Sequence, residues 1–174
     1  MKNRFFYLAV TIVFLGLYAC SDVYPVLDEF SSCDDSEVLN ETDTESTIVL
    51  ELLANDPLTI TNPEMAISVY GTDASMADIP ASLITKQCLS VDELPVLLSI
   101  DIPKNPTDKV EFLNNPENER YYVGIEWDSD GNGKICEWDI FQAYDPSIGS
   151  VTIDINGTEK YLLYLRENES VPCD

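Results

Sequence analysis

The chain has 174 residues, with 32 Asp and Glu against 9 Lys and Arg and no histidine, so its formal net charge is −23 at pH 7. This charge repels nucleic acid and anionic surfaces, which excludes nucleic acid as a partner. Without histidine there is no Ser-His-Asp relay and no His-ligated zinc. Carboxylates are abundant, but no spacing among them indicates an active site, so we do not expect an enzyme.

The first segment predicts export. Lys2 and Arg4 precede an apolar run over residues 5–19, which is typical of a signal peptide and shorter than the ~20 residues that a membrane-spanning helix needs. The run ends Leu17-Tyr18-Ala19-Cys20, which resembles the lipobox of bacterial lipoproteins. The resemblance implies that residues 1–19 are removed and that lipid on Cys20 anchors the protein to a membrane, most readily the outer membrane. Ordinary secretion is the alternative.

An acidic segment follows the anchor. Residues 20–47 contain nine Asp and Glu and no Lys or Arg. Such a run repels itself and stays extended, so it predicts a flexible linker between the membrane and the domain. The remaining residues, 48–174, are enough for one domain with a real core.

The domain carries eight stretches rich in β-branched and aromatic residues, separated by Pro, Asn and Gly turn signals. This pattern predicts an all-β fold, an antiparallel β-sandwich of the immunoglobulin or transthyretin-like kind. Asn156-Gly157 favours a type I′ hairpin between the last two strands. The predicted strands are 48–53, 65–70, 81–86, 96–102, 121–127, 135–143, 150–155 and 160–165.

The cysteines fit an exported protein. With Cys20 used for lipid, an even four remain, Cys33, Cys88, Cys136 and Cys173, and two disulfides are their expected use. Three pairings exist and the sequence does not choose among them. The preferred one joins Cys88 to Cys136 and Cys33 to Cys173.

A candidate calcium loop follows the fifth predicted strand, at residues 128–139. Calcium loops of twelve residues take oxygen ligands from positions 1, 3, 5, 7, 9 and 12 and need glycine at position 6, which here is Gly133. A bare acidic hairpin is the alternative, because Asp130-Gly131 and Asn132-Gly133 are turn dipeptides. Glu137 is a substitute ligand. The predicted ligands are Asp128, Asp130, Asn132, the Lys134 carbonyl, Cys136 through a water, and Asp139.

The loop resembles those of EF-hand proteins, and most of all those of dockerins, which tolerate aspartate at the last position. The resemblance implies Ca²⁺ as the bound ion. However, the preceding segment 120–127 alternates with a period of two, which indicates a strand and not a helix. We therefore expect a static, calcium-stapled loop between strands.

A second resemblance lies at residues 66–85, which contain Asp73-Ala-Ser75-Met-Ala-Asp78-Ile-Pro80-Ala81 between two strands. This segment is similar to small bacterial β-sandwich lipoproteins, a family that includes the pilotin chaperones of type III secretion. The likeness extends over residues 48–127 and implies the fold more than the role. From the residues alone, Asp73 and Ser75 are expected to cap a turn, and Pro80 to begin an edge strand.

The expected function is a calcium-binding lipoprotein of the cell envelope that acts as a structural or protein-interaction module. The alternative is a calcium-dependent carbohydrate-binding lipoprotein. In that case Tyr121, Tyr122, Trp127 and Trp138 would form a sugar-stacking platform beside the loop.

Overall fold

The computed structural model describes residues 33, 36, 39, 43–76, 79–136, 138–143, 152–169 and 172. The predicted signal peptide, Cys20, Cys173 and Glu137 lie outside these residues. A strand occurs at each of the eight predicted places, although the sixth and seventh are much shorter than expected. The strands are β1 (Thr44–Ala54), β2 (Glu64–Asp73), β3 (Ser82–Ser90), β4 (Val96–Pro103), β5 (Glu119–Glu126), β6 (Ile140–Gln142), β7 (Thr152–Ile153) and β8 (Lys160–Glu167).

The strands form two four-stranded sheets. The first has the order β4-β1-β8-β6 and the second β3-β2-β5-β7. All neighbours are antiparallel except β1 and β8, which pair in parallel from Val49 opposite Lys160 to Ala54 opposite Leu165. The predicted β-sandwich is confirmed, with one parallel pair inside the first sheet.

The core lies between the two sheets because each strand alternates. In β1, Ile48, Leu50 and Leu52 are buried, whereas Thr47 is exposed and Glu51 is half-buried. Successive side chains of a strand point to opposite faces, so this period places one apolar face against the other sheet. The main core residues are Ile48, Leu50, Leu52, Met65, Ile67, Val69, Ile84, Ile100, Ile102, Tyr121, Val123, Trp127, Ile140, Leu163 and Leu165.

The central strand β2 is buried on its outer face as well. Ala66 and Ser68 point away from the core, yet they are 0% and 2% exposed. Lys86 on β3 and Glu126 on β5 flank β2, and their charged atoms meet at 3.1 Å. This ion pair therefore spans β2 and covers it. The amphipathic stem of lysine suits that role, because its methylenes lie on apolar surface while its charge is paired.

The predicted hairpin at Asn156-Gly157 is wrong. β7 belongs to the second sheet and β8 to the first, so the two strands are not neighbours. The turn is closed by a hydrogen bond from Gly157 N–H to the Asp154 carbonyl at 3.0 Å. Only Gly131 and Gly133 among the described glycines have the positive φ that a type I′ turn demands. The dipeptide instead turns the chain from one sheet to the other.

The preferred disulfide pairing is also wrong, because Cys33 is bonded to Cys88, with 5.2 Å between their Cα atoms. Cys136 is disulfide-bonded too. Cys88 lies on the edge strand β3, and β2 separates it from β5, which leads to Cys136. Because each cysteine forms a single disulfide, the Cys33–Cys88 bond excludes both preferred pairs. No helix among the described residues is long and apolar enough to span a membrane.

The Cys33–Cys88 bond closes a loop with a sequence separation of 55 residues. Replacing both cysteines with serine is expected to lower the free energy of unfolding by about 2–4 kcal/mol, because the unfolded chain loses a constraint. Urea unfolding of the full chain measures the change. Non-reducing peptide mapping should recover a Cys33–Cys88 linked peptide from the wild type, and its absence together with unchanged stability would contradict the pairing.

The hydrogen bonds of Asp73 predict a contribution to stability that depends on pH in acid. Its Oδ1 accepts hydrogen bonds from Ser75 N–H at 2.8 Å and Ser75 Oγ at 2.6 Å, and its Oδ2 accepts from Asn114 N–H at 3.0 Å. The bonds from Ser75, followed by those from Asn114 and Asn115, lower its pKa to about 2 from 3.8. A carboxyl group whose pKa is lower in the folded state stabilises the fold at pH values above its unfolded-state pKa. That contribution to stability is lost as the pH falls through the folded-state pKa. The stability difference between wild type and Asp73→Asn should therefore shrink as the pH falls from 4 to 2, as urea unfolding across that range will show.

Candidate metal site

The candidate loop, residues 128–139, connects the two sheets at one end of the sandwich. β5 ends at Glu126, and Trp127 follows with its side chain 0% exposed. The Trp127 indole N–H donates to the Asn62 carbonyl at 2.8 Å, so the start of the loop is fixed to the segment before β2. The loop leads directly into β6, which begins at Ile140 in the other sheet.

The first half of the loop is folded around the carboxylates of Asp128 and Asp130. The two oxygens of Asp128 accept from Asn132 N–H at 3.0 Å and from Gly133 N–H at 2.9 Å. Asp130 Oδ1 also accepts from Asn132 N–H, at 2.9 Å. Gly131 and Gly133 have φ of 77° and 84°, which favour glycine. The turn glycine thus lies where the calcium-loop pattern requires it, bonded to the first aspartate.

The second half is organised by Asp139, whose side chain is 0% exposed. Its Oδ1 accepts from Ser129 N–H at 2.7 Å, Ser129 Oγ at 3.3 Å and Asp130 N–H at 3.3 Å. Its Oδ2 accepts from Cys136 N–H at 2.8 Å. Burial of a charge is costly unless it is compensated by hydrogen bonds. Four donors from both halves of the loop supply this compensation.

Ligand atoms of Asp128, Asp130 and Asp139 lie within 4.8 Å of one another. Ca²⁺ binds oxygens at 2.3–2.6 Å, so ligands on opposite sides of the ion are up to about 5 Å apart. The three carboxylates are therefore close enough for one cation to contact all of them. Burial raises the pKa of Asp128, and the nearby charge of Asp139 adds to this effect, although backbone bonds from Gly133 and Asn132 oppose it. A cation between the carboxylates would offset both costs.

The structure brings together three of the six predicted ligands, and the side chains of two others, Asn132 and Cys136, have partners of their own. Asn132 Oδ1 accepts from Lys134 N–H at 2.9 Å, while Asn132 Nδ2 donates to Asp130 Oδ2 at 2.8 Å. The Cys136 carbonyl accepts from Asp139 N–H at 3.2 Å and from Asn168 Nδ2 at 3.0 Å, and the Cys136 sulfur is in a disulfide. Cys136 thus stabilises the loop through its carbonyl group and its disulfide. The full set of six ligands stays a prediction.

Three residues that support the loop were not singled out from the sequence. The Ser129 carbonyl accepts from Thr61 and Asn62 N–H at 2.8 and 2.9 Å, and the Ser129 hydroxyl accepts from Ile140 N–H at 2.9 Å. Asn62 Nδ2 donates to the Asp128 carbonyl at 3.0 Å. Asn168, at the end of β8, is bonded to both Cys136 and Asp139. These partners are far apart in sequence, and no motif marks them.

The aromatic platform that the alternative, carbohydrate-binding function would need does not form. Trp127 and Tyr121 are buried in the core. Tyr122 stacks on Tyr70, with ring centroids 5.4 Å apart, on the outer face of the second sheet. Trp138 is 61% exposed, so it is the one of the four that presents a free face beside the loop. Sugar binding through stacked aromatics therefore has no support in the described residues.

No protein-family model and no curated protein matches the chain. Among solved structures, the chain is similar to an alternative pilotin from the type II secretion system of Vibrio cholerae. The two are 20% identical, with a TM-score of 0.44, and the match covers 71% of this chain and 97% of the other. The likeness is too low to indicate a shared function.

The burial of Asp139 leads to a test that does not depend on metal. In chelator, Asp139→Asn is expected to lower the free energy of unfolding by about 1–3 kcal/mol, because the amide group cannot accept from every buried donor that the carboxylate satisfies. Asp154→Asn is the matched control. Asp154 also accepts from a nearby N–H, that of Asn156 at 2.9 Å, but in an exposed turn, so a change within about 0.5 kcal/mol is expected. Equal losses in urea unfolding would show that Asp139 does not organise the loop.

Proposed function

We propose that this protein is a calcium-binding lipoprotein of the bacterial cell envelope, and that its β-sandwich is a structural or protein-interaction module. Calcium would fix the loop of residues 128–139 between the two sheets. The observation that supports this proposal is the approach of the Asp128, Asp130 and Asp139 carboxylates to within 4.8 Å. No catalytic step is part of the proposal.

Calcium would supply positive charge where the fold concentrates negative charge. The ion would be held by the three carboxylates, with Asn132 and the Lys134 carbonyl as further oxygen ligands, which are the ligands that Ca²⁺ prefers. The turn at Gly133 and the bonds to Asp128 are already in place. The loop is therefore preorganised, and binding would lower the cost of keeping Asp128 and Asp139 ionised side by side.

The location in the envelope is supported by two features of the cysteines. The Cys33–Cys88 disulfide fits an oxidising compartment. The Leu17-Tyr-Ala-Cys20 sequence resembles a lipobox, and lipid on Cys20 would attach the protein to the outer membrane. A glycan-binding role is not proposed, because the aromatic residues around the loop do not form a platform.

Terbium luminescence tests the metal site directly, because Tb³⁺ replaces Ca²⁺ and is sensitised by nearby tryptophan. Trp127 and Trp138 each precede a ligand, Asp128 and Asp139. In the full chain we expect a saturable signal that calcium displaces, and we expect Asp130→Asn to weaken binding because it removes one of the three carboxylate charges. Asp154→Asn is the matched control, since Asp130 and Asp154 each accept an N–H bond at 2.9 Å from the residue two positions on. A signal that both variants lose equally, or no signal at all, would contradict the proposal.

The same variants separate stabilisation from adventitious binding. Extracellular calcium modules bind with dissociation constants on the order of 10⁻⁴–10⁻³ M. At about 10 mM calcium, a site in this range stabilises the fold by about 1.4–2.7 kcal/mol, which raises the melting temperature by several degrees. Wild type and Asp154→Asn should show this rise, and Asp130→Asn should show a smaller one at the same calcium concentration.

A further inference from the structure

A groove at the loop end of the sandwich has no role in the function proposed above. It has a volume of about 560 Å³ and lies between the segment that joins β1 to β2 and the segment that joins β3 to β4. Its apolar lining includes Leu53, Leu58, Ile60 and Leu94. These four side chains are half-buried, and Leu58, Ile60 and Leu94 pack against the core. The volume is in the range of sites that bind small molecules or peptide side chains.

The groove continues onto an apolar area of the first sheet. Leu53 lines the groove and lies opposite Tyr164 on β8. In the next row of the same face, Glu51 lies between Leu97 on β4 and Leu162 on β8. Leu97, Leu162 and Tyr164 are 61%, 43% and 44% exposed. Several exposed apolar side chains on one face mark interaction sites more often than single exposed residues do.

The charge at the groove has one sign. Asp56, Asp92 and Glu93 line it and are exposed, and none of the described lining residues is a lysine or arginine. On the adjoining sheet, Lys160 forms an ion pair with Glu51, and Arg166 lies over the Phe141 ring at 4.9 Å. Both of these basic side chains thus already interact with other residues of the first sheet. An apolar hollow with three carboxylates complements a ligand that is apolar and positively charged.

We propose that this groove and the adjoining apolar face, with Leu97 at their junction, bind a peptide segment of a partner protein that combines apolar side chains with Lys or Arg. Charge argues against the other occupants. A second copy of this chain would bring the same carboxylates together, and an anionic membrane surface would be repelled by a chain of net charge −23. This inference specifies the class of partner for the protein-interaction role proposed above. It depends on the groove and the adjoining face, not on the calcium loop.

The test uses the full chain in nanodiscs of neutral phosphatidylcholine and three fluorescein-labelled peptides. The first alternates Leu and Lys, the second replaces Lys with Glu, and the third replaces Leu with Ser. Fluorescence anisotropy is measured in chelator, so that failure of the calcium site would leave the outcome unaffected. We expect saturable binding of the Leu/Lys peptide to the protein and weakening at higher salt. We expect little binding of the other two peptides or of bare nanodiscs.

Variants locate the surface. Leu97→Ser is expected to weaken binding roughly tenfold or more, through loss of a buried leucine contact. Its matched control is Leu83→Ser, because Leu83 is 50% exposed on β3 of the other sheet. Glu93→Lys should also weaken binding, whereas Glu117→Lys, at an exposed site near β5, should not. All four side chains are exposed, so the variants should fold.

Several results would overturn the proposal. Equal affinity of Leu97→Ser and Leu83→Ser would place the peptide elsewhere. Equal binding of the Leu/Glu peptide would remove the role of charge. Binding that bare nanodiscs reproduce would assign the signal to lipid. A dimer of the wild type, detected by sedimentation of the detergent-solubilised chain and dissociated by Leu97→Ser, would assign the surface to a second copy.

Discussion

The carboxylate of Asp139 is the constraint on which one end of this sandwich depends. It is fully buried, and it accepts hydrogen bonds from Ser129, Asp130 and Cys136, which lie on both sides of the loop. The loop must pass from β5 in one sheet to β6 in the other. Because a buried carboxylate is tolerated only with its donors in place, the loop cannot open without exposing that charge or leaving it unpaired. Asp139 thereby links the two sheets through polar contacts where the apolar core ends.

Backbone hydrogen bonds also compensate two other buried aspartates, Asp73 and Asp128. The strongly held carboxylates are compensated by backbone N–H groups: Asp73 by Ser75 and Asn114, Asp128 by Asn132 and Gly133, and Asp139 by the loop. Backbone donors carry no formal charge, so they stabilise one anion without reducing the repulsion between two. Where Asp128, Asp130 and Asp139 converge, the repulsion between their carboxylate charges is not offset by these hydrogen bonds. A divalent cation is the simplest way to offset it, and for that reason the loop, rather than the other acidic turns, is the candidate metal site.

The fold was predictable from the sequence to the extent that it depends on local pattern. The alternation of Ile48, Leu50 and Leu52 against Thr47 and Glu51 is visible in the sequence, and so are the proline and asparagine breaks that separate the strands. Pairing was not predictable, because Asn156-Gly157 has the same local preference whether the next strand joins the same sheet or the other one. The disulfide was missed for a similar reason: nothing near Cys33 indicates that its segment reaches β3.

The candidate site, too, was predictable only where it depends on local sequence pattern. The positions of Asp128, Asp130, Gly133 and Asp139 follow from the spacing of a calcium loop, and the structure brings those carboxylates together. Ser129, Asn62 and Asn168 hold the loop through hydrogen bonds with residues up to 68 positions away, from Thr61 to Ser129. Common polar residues that act at such distance leave no periodic or spacing signal.

The same long-range bonds connect the loop to the groove. The Ser129 carbonyl accepts from Thr61 and Asn62 N–H, and the Asn62 carbonyl accepts from the Trp127 indole. Residues 57, 58 and 60 of that segment form one wall of the groove. Ser129 lies between Asp128 and Asp130 in the sequence, and its N–H donates to the Asp139 carboxylate. If calcium orders the loop, these bonds would order the groove wall as well, and the two ligands would then be coupled. By linkage, whatever calcium contributes to a partner in the groove, the partner must contribute equally to calcium.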